Sequence, residues 1–195
     1  VHELRTAAIG RFAELGFPTG REEAWRFTDL TPVVETSFVP ATGEPDFAGV
    51  EKHASGPLAG SQLTFVDGRY APEFSRPPRG TASLAGLLAT DALEPRLAKL
   101  AGVNGHPFAA LNTAFVRDGA YIHVPRGQTV DVPVHVLFLS TTREHPYVTY
   151  PRVLVVAEEG ASVEVVESYV GGTGVHLTNS VVEVYVDEGA SVHYI

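Results

Sequence analysis

The chain has 195 residues, 44% hydrophobic and 19% charged, with 14 basic against 23 acidic residues and a formal net charge of -9. That composition builds a globular core, and an acidic balance without a Lys/Arg block argues against nucleic acid and anionic membrane as partners. Cysteine is absent, which excludes disulfides and thiolate ligands within the chain.

Apolar runs are strand-length: Val134–Leu139 is among the longest, and His135 interrupts it, so no stretch reaches the length of a membrane span. The opening VHELRTAAIGRF lacks the apolar centre of a signal peptide, and a cytoplasmic protein is expected. With Val1 first and no methionine, the true start is expected upstream. The last residues, GASVHYI, stop inside an alternating run, so the carboxy-terminal end is read as cut.

In chain order, Leu4, Ala8, Phe12 and Leu15 form one stripe at helical period, and Gly16 followed by Pro18 suits its stop. Within PTGREEAWRFTDL, Glu22, Glu23 and Ala24 suit one further helical turn that Pro32 would end. Residues 37–62 show no period and read as an irregular connection. SQLTFVDGRYAPEF predicts a β-hairpin with Asp67–Gly68 at its turn. Residues 83–101, carried by Leu84, Leu87, Leu88, Leu93, Leu97 and Leu100, and residues 106–117, carried by Phe108, Leu111 and Phe115 with Asn104 as cap, read as helices.

From Gly119 the chain turns valine-rich, with Gly and Pro as punctuation. EEGASVEVV at 158–166 returns as DEGASVHYI at 187–195, an offset of 29; RGQTVDV at 126–132 is a weaker copy, and RDGAYIHV at 117–124 has the same shape. Each unit is a glycine turn followed by a short strand. A strand about every 30 residues suggests coils that stack on one another. Parity puts Val130, Val132, Val134, Val136 and Phe138 on one face, with Val163 and Val165, and Val182, Val184 and Val186, as their counterparts. Leu137, Leu139 and Val166 are apolar on the opposite face, so the helical lobe or a partner is expected to cover it. The expected fold is mainly β: a β-solenoid, or β-helix, of stacked short strands with an α-helical amino-terminal lobe, the alternative being a β-sandwich or jelly roll. Residues 1–117 would form the lobe with its small hairpin and 118–195 the β-helix core. In that register Val163 and Val192 stack and are buried.

Three stretches carry a family resemblance. PTGREEAWRFTDL resembles the amino-terminal signature of SufD-type proteins. LNTAFVRDGAYIHVPRGQTVDVPVHVLF resembles the entry to their β-helix, and PRVLVVAEEGASVEVVESYVG with TNSVVEVYVDEGASVHYI resembles its consecutive coils. The chain thus resembles the amino-terminal half of the SufB/SufD family of iron–sulfur assembly proteins, nearer to SufD. The resemblance implies a subunit of the SUF machinery that pairs with SufB-like and SufC-like ATPase subunits. It also implies that the cluster is handled by the full complex, with no cofactor in this chain. The family's cluster-related residues fall mostly outside these stretches, so none is carried over, and the absent cysteines lean towards SufD.

The chemistry read from the residues agrees. Eight histidines form no HxH, HxxxH or HExxH. His123 reads as a solvent-facing strand residue, and His135 as isolated. Glu164 and His193, equivalent in the repeat, would lie ~4.8 Å apart on neighbouring strands as an ion pair. Glu167 shares parity with Val163 and Val165, so either a corner near Gly171–Gly172 turns it outward or it is a buried carboxylate with a partner; the corner is preferred. Trp25, Arg26 and Phe27 either anchor a binding surface or, as preferred, pin the lobe to the β core. No P-loop and no clustered carboxylates are present.

The expectation is a non-catalytic scaffold subunit with no catalytic, cofactor-binding or metal residues, a possible homodimer, and neither nucleic acid nor membrane as partner. The rivals are a β-helical polysaccharide-active enzyme, marked by a carboxylate cluster on one face, a SufB-type cluster scaffold, and a plain binding module. Open strand edges at a cut end would pair with another chain through residues 181–195.

Overall fold

A computed structural model describes residues 1–93 and 95–195. Helix α1 (His2–Leu15) stops at Gly16, whose φ of 69° turns the chain while its N–H donates to Phe12 O at 2.8 Å. A 3-10 turn at Glu23–Trp25 follows, then α2 (Thr31–Glu35). Pro32 lies in the first turn of α2 and so opens a helix instead of ending one: its missing N–H is not needed there. The connection holds β1 (Val39–Pro40) and α3 (Glu51–Ala54).

The hairpin forms as expected. β2 (Gln62–Val66) and β3 (Arg69–Tyr70) pair antiparallel. Asp67 and Gly68 between them both take positive φ, 49° and 78°, as a tight two-residue hairpin turn requires. β4 (Thr81–Ser83) leads into α4 (Leu84–Leu88) and a 3-10 turn at Asp91–Leu93. The single long helix expected over 83–101 is therefore broken into short pieces, and its position 94 lies outside the described residues. Leu84, Leu88, Leu93 and Leu97 are nevertheless buried together. The N-cap position of helix α5 (Pro107–Phe115) is His106, whose side chain makes no capping hydrogen bond, and not Asn104.

The remaining strands are β5 (Gly119–Val124), β6 (Val134–Ser140), β7 (Tyr147–Thr149), β8 (Arg152–Ala157), β9 (Ser162–Gly171), β10 (His176–Thr178), β11 (Val181–Val186) and β12 (Ser191–Tyr194). Among the described residues the strands β1 to β12 make three sheets, ordered β1-β7-β10, β11-β8-β5-β4 and β12-β9-β6-β2-β3. The 29-residue offset becomes strand pairing: β12 lies parallel to β9 with Val192 opposite Val163, and β11 lies parallel to β8 with Val182 opposite Val153. Val163 is buried and Val192 half-buried.

The β-solenoid expected from this repeat, with its sandwich or jelly-roll alternative, is corrected: the chain is an α/β fold with mixed parallel and antiparallel sheets. The repeat accounts for the parallel ladders β5-β8-β11 and β6-β9-β12 at one side of the sheets. On the other side the amino-terminal half completes the sheets, with β4 antiparallel to β5 and the β2–β3 hairpin on β6. Short helices then cover the outer faces.

Three apolar clusters hold these layers. The central one joins Ala120, Ile122, Val153 and Val155 to Leu63, Phe65, Val136, Phe138, Val163 and Val165 across the two larger sheets. Each fully buried Val, Leu or Phe there contributes about 1.5–3 kcal/mol. The second packs Leu84, Leu88, Leu93, Leu97 and Val116 on the outward side chains Leu154 and Val156. The third covers Leu137 and Leu139 with Val50, Phe47 and Phe74, so the amino-terminal half does cover the second apolar face of β6. Parity fails at two valines: Val132 lies in the turn before β6, and Val186 ends β11, both about half exposed.

Candidate functional site

Charged and polar side chains that enter this interior are spent on holding elements together. Arg152 on β8 is 0% exposed and Glu183 on β11 1% exposed. The Arg152 guanidinium donates to Glu183 Oε2 at 2.5 and 3.2 Å, and to Asn112 Oδ1 and Thr113 Oγ1 of α5 at 3.0 Å each. Glu183 also accepts the backbone N–H groups of Ala98, Leu100 and Ala101 at 2.9, 3.0 and 3.1 Å. Asn112 Nδ2 donates to the Pro151 and Asn179 carbonyls, both at 2.8 Å. Burial pushes the Glu183 carboxyl up, but the Arg152 charge and the backbone donors outweigh it and hold it below the usual value. The pair is thus fully satisfied, as a buried ion pair must be to be tolerated.

Asp67, 3% exposed at the hairpin turn, works in the same way. It accepts from Thr141 N at 2.8 Å, Thr141 Oγ1 at 2.6 Å and Arg143 Nε at 2.8 Å, with the Tyr147 hydroxyl 3.0 Å away. Burial raises its carboxyl pKa, and these donors more than reverse that. Asp118 ties the start of β5 to the hairpin and α4 through Tyr70 N at 2.9 Å, Ser83 Oγ at 2.6 Å and Ala85 N at 3.1 Å.

The residues singled out in sequence fall as follows. His193 sits opposite Glu164 in the β12–β9 ladder, its Nδ1 3.9 Å from the carboxylate, an exposed pair. His123 is only half-exposed: it lies 2.8 Å from Glu158 Oε1 and stacks on Tyr121. His135 is buried on β6, where Nδ1 lies 2.7 Å from Gln62 Oε1 and Nε2 3.0 Å from Ser168 Oγ, so it bridges three strands. Glu167 stays in register opposite Val136 within β9, and no corner turns it outward. It is the carboxylate with partners, accepting from the hydroxyls of Tyr169 and Tyr194, the latter at 2.7 Å. Burial, with Glu167 adding to it, raises both tyrosine pKa values well above normal. Trp25 packs on Phe108 of α5 at 5.2 Å; it pins the 3-10 turn to the lobe itself instead of joining lobe to sheets. Phe27 is 92% exposed under Arg26.

His135 gives the first prediction. Burial lowers its pKa from the ordinary 6.5. A histidine with a depressed folded pKa binds more protons unfolded, so stability falls as pH drops through the unfolded imidazole range. The urea midpoint should decrease from pH 7.5 to 5.5, and His135→Gln should flatten that slope. An unchanged slope in the variant would show that His135 is not the titrating group.

Sequence reasoning missed Arg152, Glu183, Asp67 and Asp118. The available signal was a charge at the edge of, or inside, a valine run, as in PRVLVVA and VVEVYV. The 29-residue comparison did not find it, because Arg152 and Glu183 are 31 apart.

Among the described residues no group of three His, Cys, Asp or Glu could hold a metal ion, and no helix is long and apolar enough to cross a membrane. A groove of about 480 Å³ between α3 and the ends of β6 and β9 carries Lys52, one histidine (His53), one carboxylate (Asp46) and Thr141, Thr142 and Thr173. That set lacks the paired carboxylates of acid–base hydrolysis, while a groove of about 590 Å³ on the other side of α3 is lined by Glu51 and Glu73 together with Arg76. β10, β11 and β12 lie outermost in their sheets, paired in parallel with β7, β8 and β9. Beside them an aromatic column, Phe65 on Phe138 at 5.0 Å and Phe138 on Tyr169 at 5.3 Å, ends in a half-exposed ring.

Comparison with known proteins gives two consecutive family matches. Residues 59–136 match the SufBD protein N-terminal region, and residues 138–195 match the SufBD core domain, described as SUF system FeS cluster assembly. The chain is 31% identical, over 98% of its length, to the Synechocystis iron-sulfur cluster assembly SufBD family protein slr0076, covering 46% of that protein. It is 26% identical along its whole length to the chloroplastic protein ABCI7 of Arabidopsis thaliana, covering 43% of it. Over 47% of its length it is 32% identical to the iron-sulfur cluster assembly protein SufD of Bacillus subtilis. It spans less than half the length of these relatives.

Proposed function

Because the chain belongs to the SufBD family, we propose that it serves iron–sulfur cluster assembly as part of a SufD-like, non-catalytic scaffold subunit. The observation that carries this reading is where the buried polar groups are spent. Arg152, Glu183, Asp67, Asp118 and His135 each hold one element to another; Asp67 also borders a small cleft of about 30 Å³, but its carboxylate is taken up by Thr141, Arg143 and Tyr147. In this reading the scaffold pairs with a SufB-like subunit, or with a second copy of itself, and works beside a SufC-like ATPase. The cluster is the cargo of the full complex.

The test is co-purification of the whole protein at native expression, followed by anaerobic cluster reconstitution on the whole protein alone and on the complex. The reading expects SufB-like and SufC-like partners in the eluate and a cluster on the complex only. A stable, stoichiometric cluster on the isolated protein would assign it the SufB-type role. Recovery without either partner would remove the scaffold reading.

A further inference from the structure

Residues 96–101 form a turn-rich segment without helix or strand, lying over the second apolar cluster. Leu97 points into that cluster and is 1% exposed. Ala98 is held at a φ of 57°, a left-handed conformation that costs an alanine energy. Among the described residues, the segment's hydrogen bonds to the sheet run to one strand, the edge strand β11. Ala98, Leu100 and Ala101 donate to Glu183, and Arg96 O accepts from the Tyr185 hydroxyl at 2.6 Å. The Arg96 guanidinium also lies over the Tyr185 ring. β8 carries the apolar floor Leu154 and Val156 on which Leu97 packs, and its polar link to the segment runs from Arg152 by way of Glu183.

We infer that residues 96–101 are a strap whose closure is coupled to the seating of β11. Three N–H groups aimed at one carboxylate have their acceptor only while Glu183 is buried beside Arg152, that is, while β11 is paired with β8. If β11 shifts or frays, the strap loses its anchors together, Ala98 relaxes from its left-handed conformation, and Leu154 and Val156 become accessible. Conversely, whatever steadies the outer edge of β11 tightens a segment it does not touch. Such coupling needs only a shared local opening equilibrium.

The test is native-state hydrogen exchange on the full chain. Tyr185→Phe removes one anchor and leaves the Arg152–Glu183 pair intact. It should speed exchange of the Ala98, Leu100 and Ala101 amides about fivefold, and of the Glu183 and Tyr185 amides, which face β8, by a similar factor, with the amides of β6 unchanged. Ala98→Gly relieves the strained φ and should slow both sets a few-fold. Glu183→Gln should open both by 100-fold or more; should that variant fail to fold, the first two decide. Faster exchange in the strap with β11 unchanged would overturn the coupling, as would no change in either set.

Discussion

Replacing Glu183 with alanine is expected to cost about 3–5 kcal/mol, since it leaves a buried guanidinium without its counter-charge. For a chain of this size that lowers Tm by roughly 10 °C or more. Arg152 would keep Asn112 and Thr113, but these neutral acceptors do not replace a carboxylate at 2.5 Å. Three backbone N–H groups of residues 98–101 would also lose their acceptor. Converting both partners, Arg152→Met with Glu183→Leu, removes the unpaired charge and should recover much of the loss. It cannot recover all of it, because the orphaned N–H groups remain, at about 1–3 kcal/mol each where they stay buried. Chemical denaturation of the two single variants and the double variant gives the coupling directly. Equal loss in the single and double variants would show that charge burial is not the dominant effect. The carboxyl pKa of Glu183 is depressed, so its contribution is present above the unfolded carboxyl range and is lost as pH falls through the folded pKa.

Gly119→Ala is expected to be as damaging, by another route. Gly119 opens β5 at a φ of 154°, and a Cβ there would lie 1.8 Å from the Arg152 carbonyl oxygen. The neighbouring atoms are backbone of a paired strand, which cannot move aside without breaking the β5–β8 ladder. We expect a loss on the order of 4 kcal/mol, or failure to fold, from strain at a special backbone position. Gly10→Ala is the control: Gly10 lies inside α1 with nothing within 4 Å of the added methyl. That variant should be neutral or stabilising by about 0.5–1 kcal/mol. Thermal melts of both distinguish a steric requirement from a general cost of adding a side chain.

Local features were legible in the sequence where a single residue type decides the geometry. The Gly16 stop, the Asp67–Gly68 hairpin and the register of Val163 with Val192 follow from backbone chemistry and a six-residue repeat. The turn glycines agree: Gly127, Gly160 and Gly189 share a φ of 67°, with Gly127 N donating to Glu159 O and Gly160 N to Glu188 O. The fold class was not legible, because the repeat describes only the parallel ladders β5-β8-β11 and β6-β9-β12 and not what completes the sheets beyond β5 and β6. The antiparallel strands β3 and β4 come from a stretch with no repeat at all, and leucine-rich 83–101 reads as one helix although it packs as short turns. The polar links were missed for a related reason. Arg152 and Glu183 hold together because their strands are neighbours with different side chains facing the same lobe, which no internal comparison of like with like reveals. Glu167 was misread because a carboxylate on an interior face suggests a bulge unless the tyrosines at 169 and 194 are seen as its donors.

The aromatic packing of the amino-terminal lobe has an optical consequence. Trp25 is the sole tryptophan, and its indole rests on Phe108, which in turn meets Phe17. Tryptophan emission, excited selectively over tyrosine, therefore reports on the environment of that lobe and not on the sheets, whereas the far-ultraviolet dichroism of a strand-rich chain is dominated by the sheets. A denaturation series followed by both signals compares two parts of the molecule at once. Coincident curves mean that lobe and sheets melt as one unit, and an earlier shift in emission means that the lobe detaches while the strands still pair.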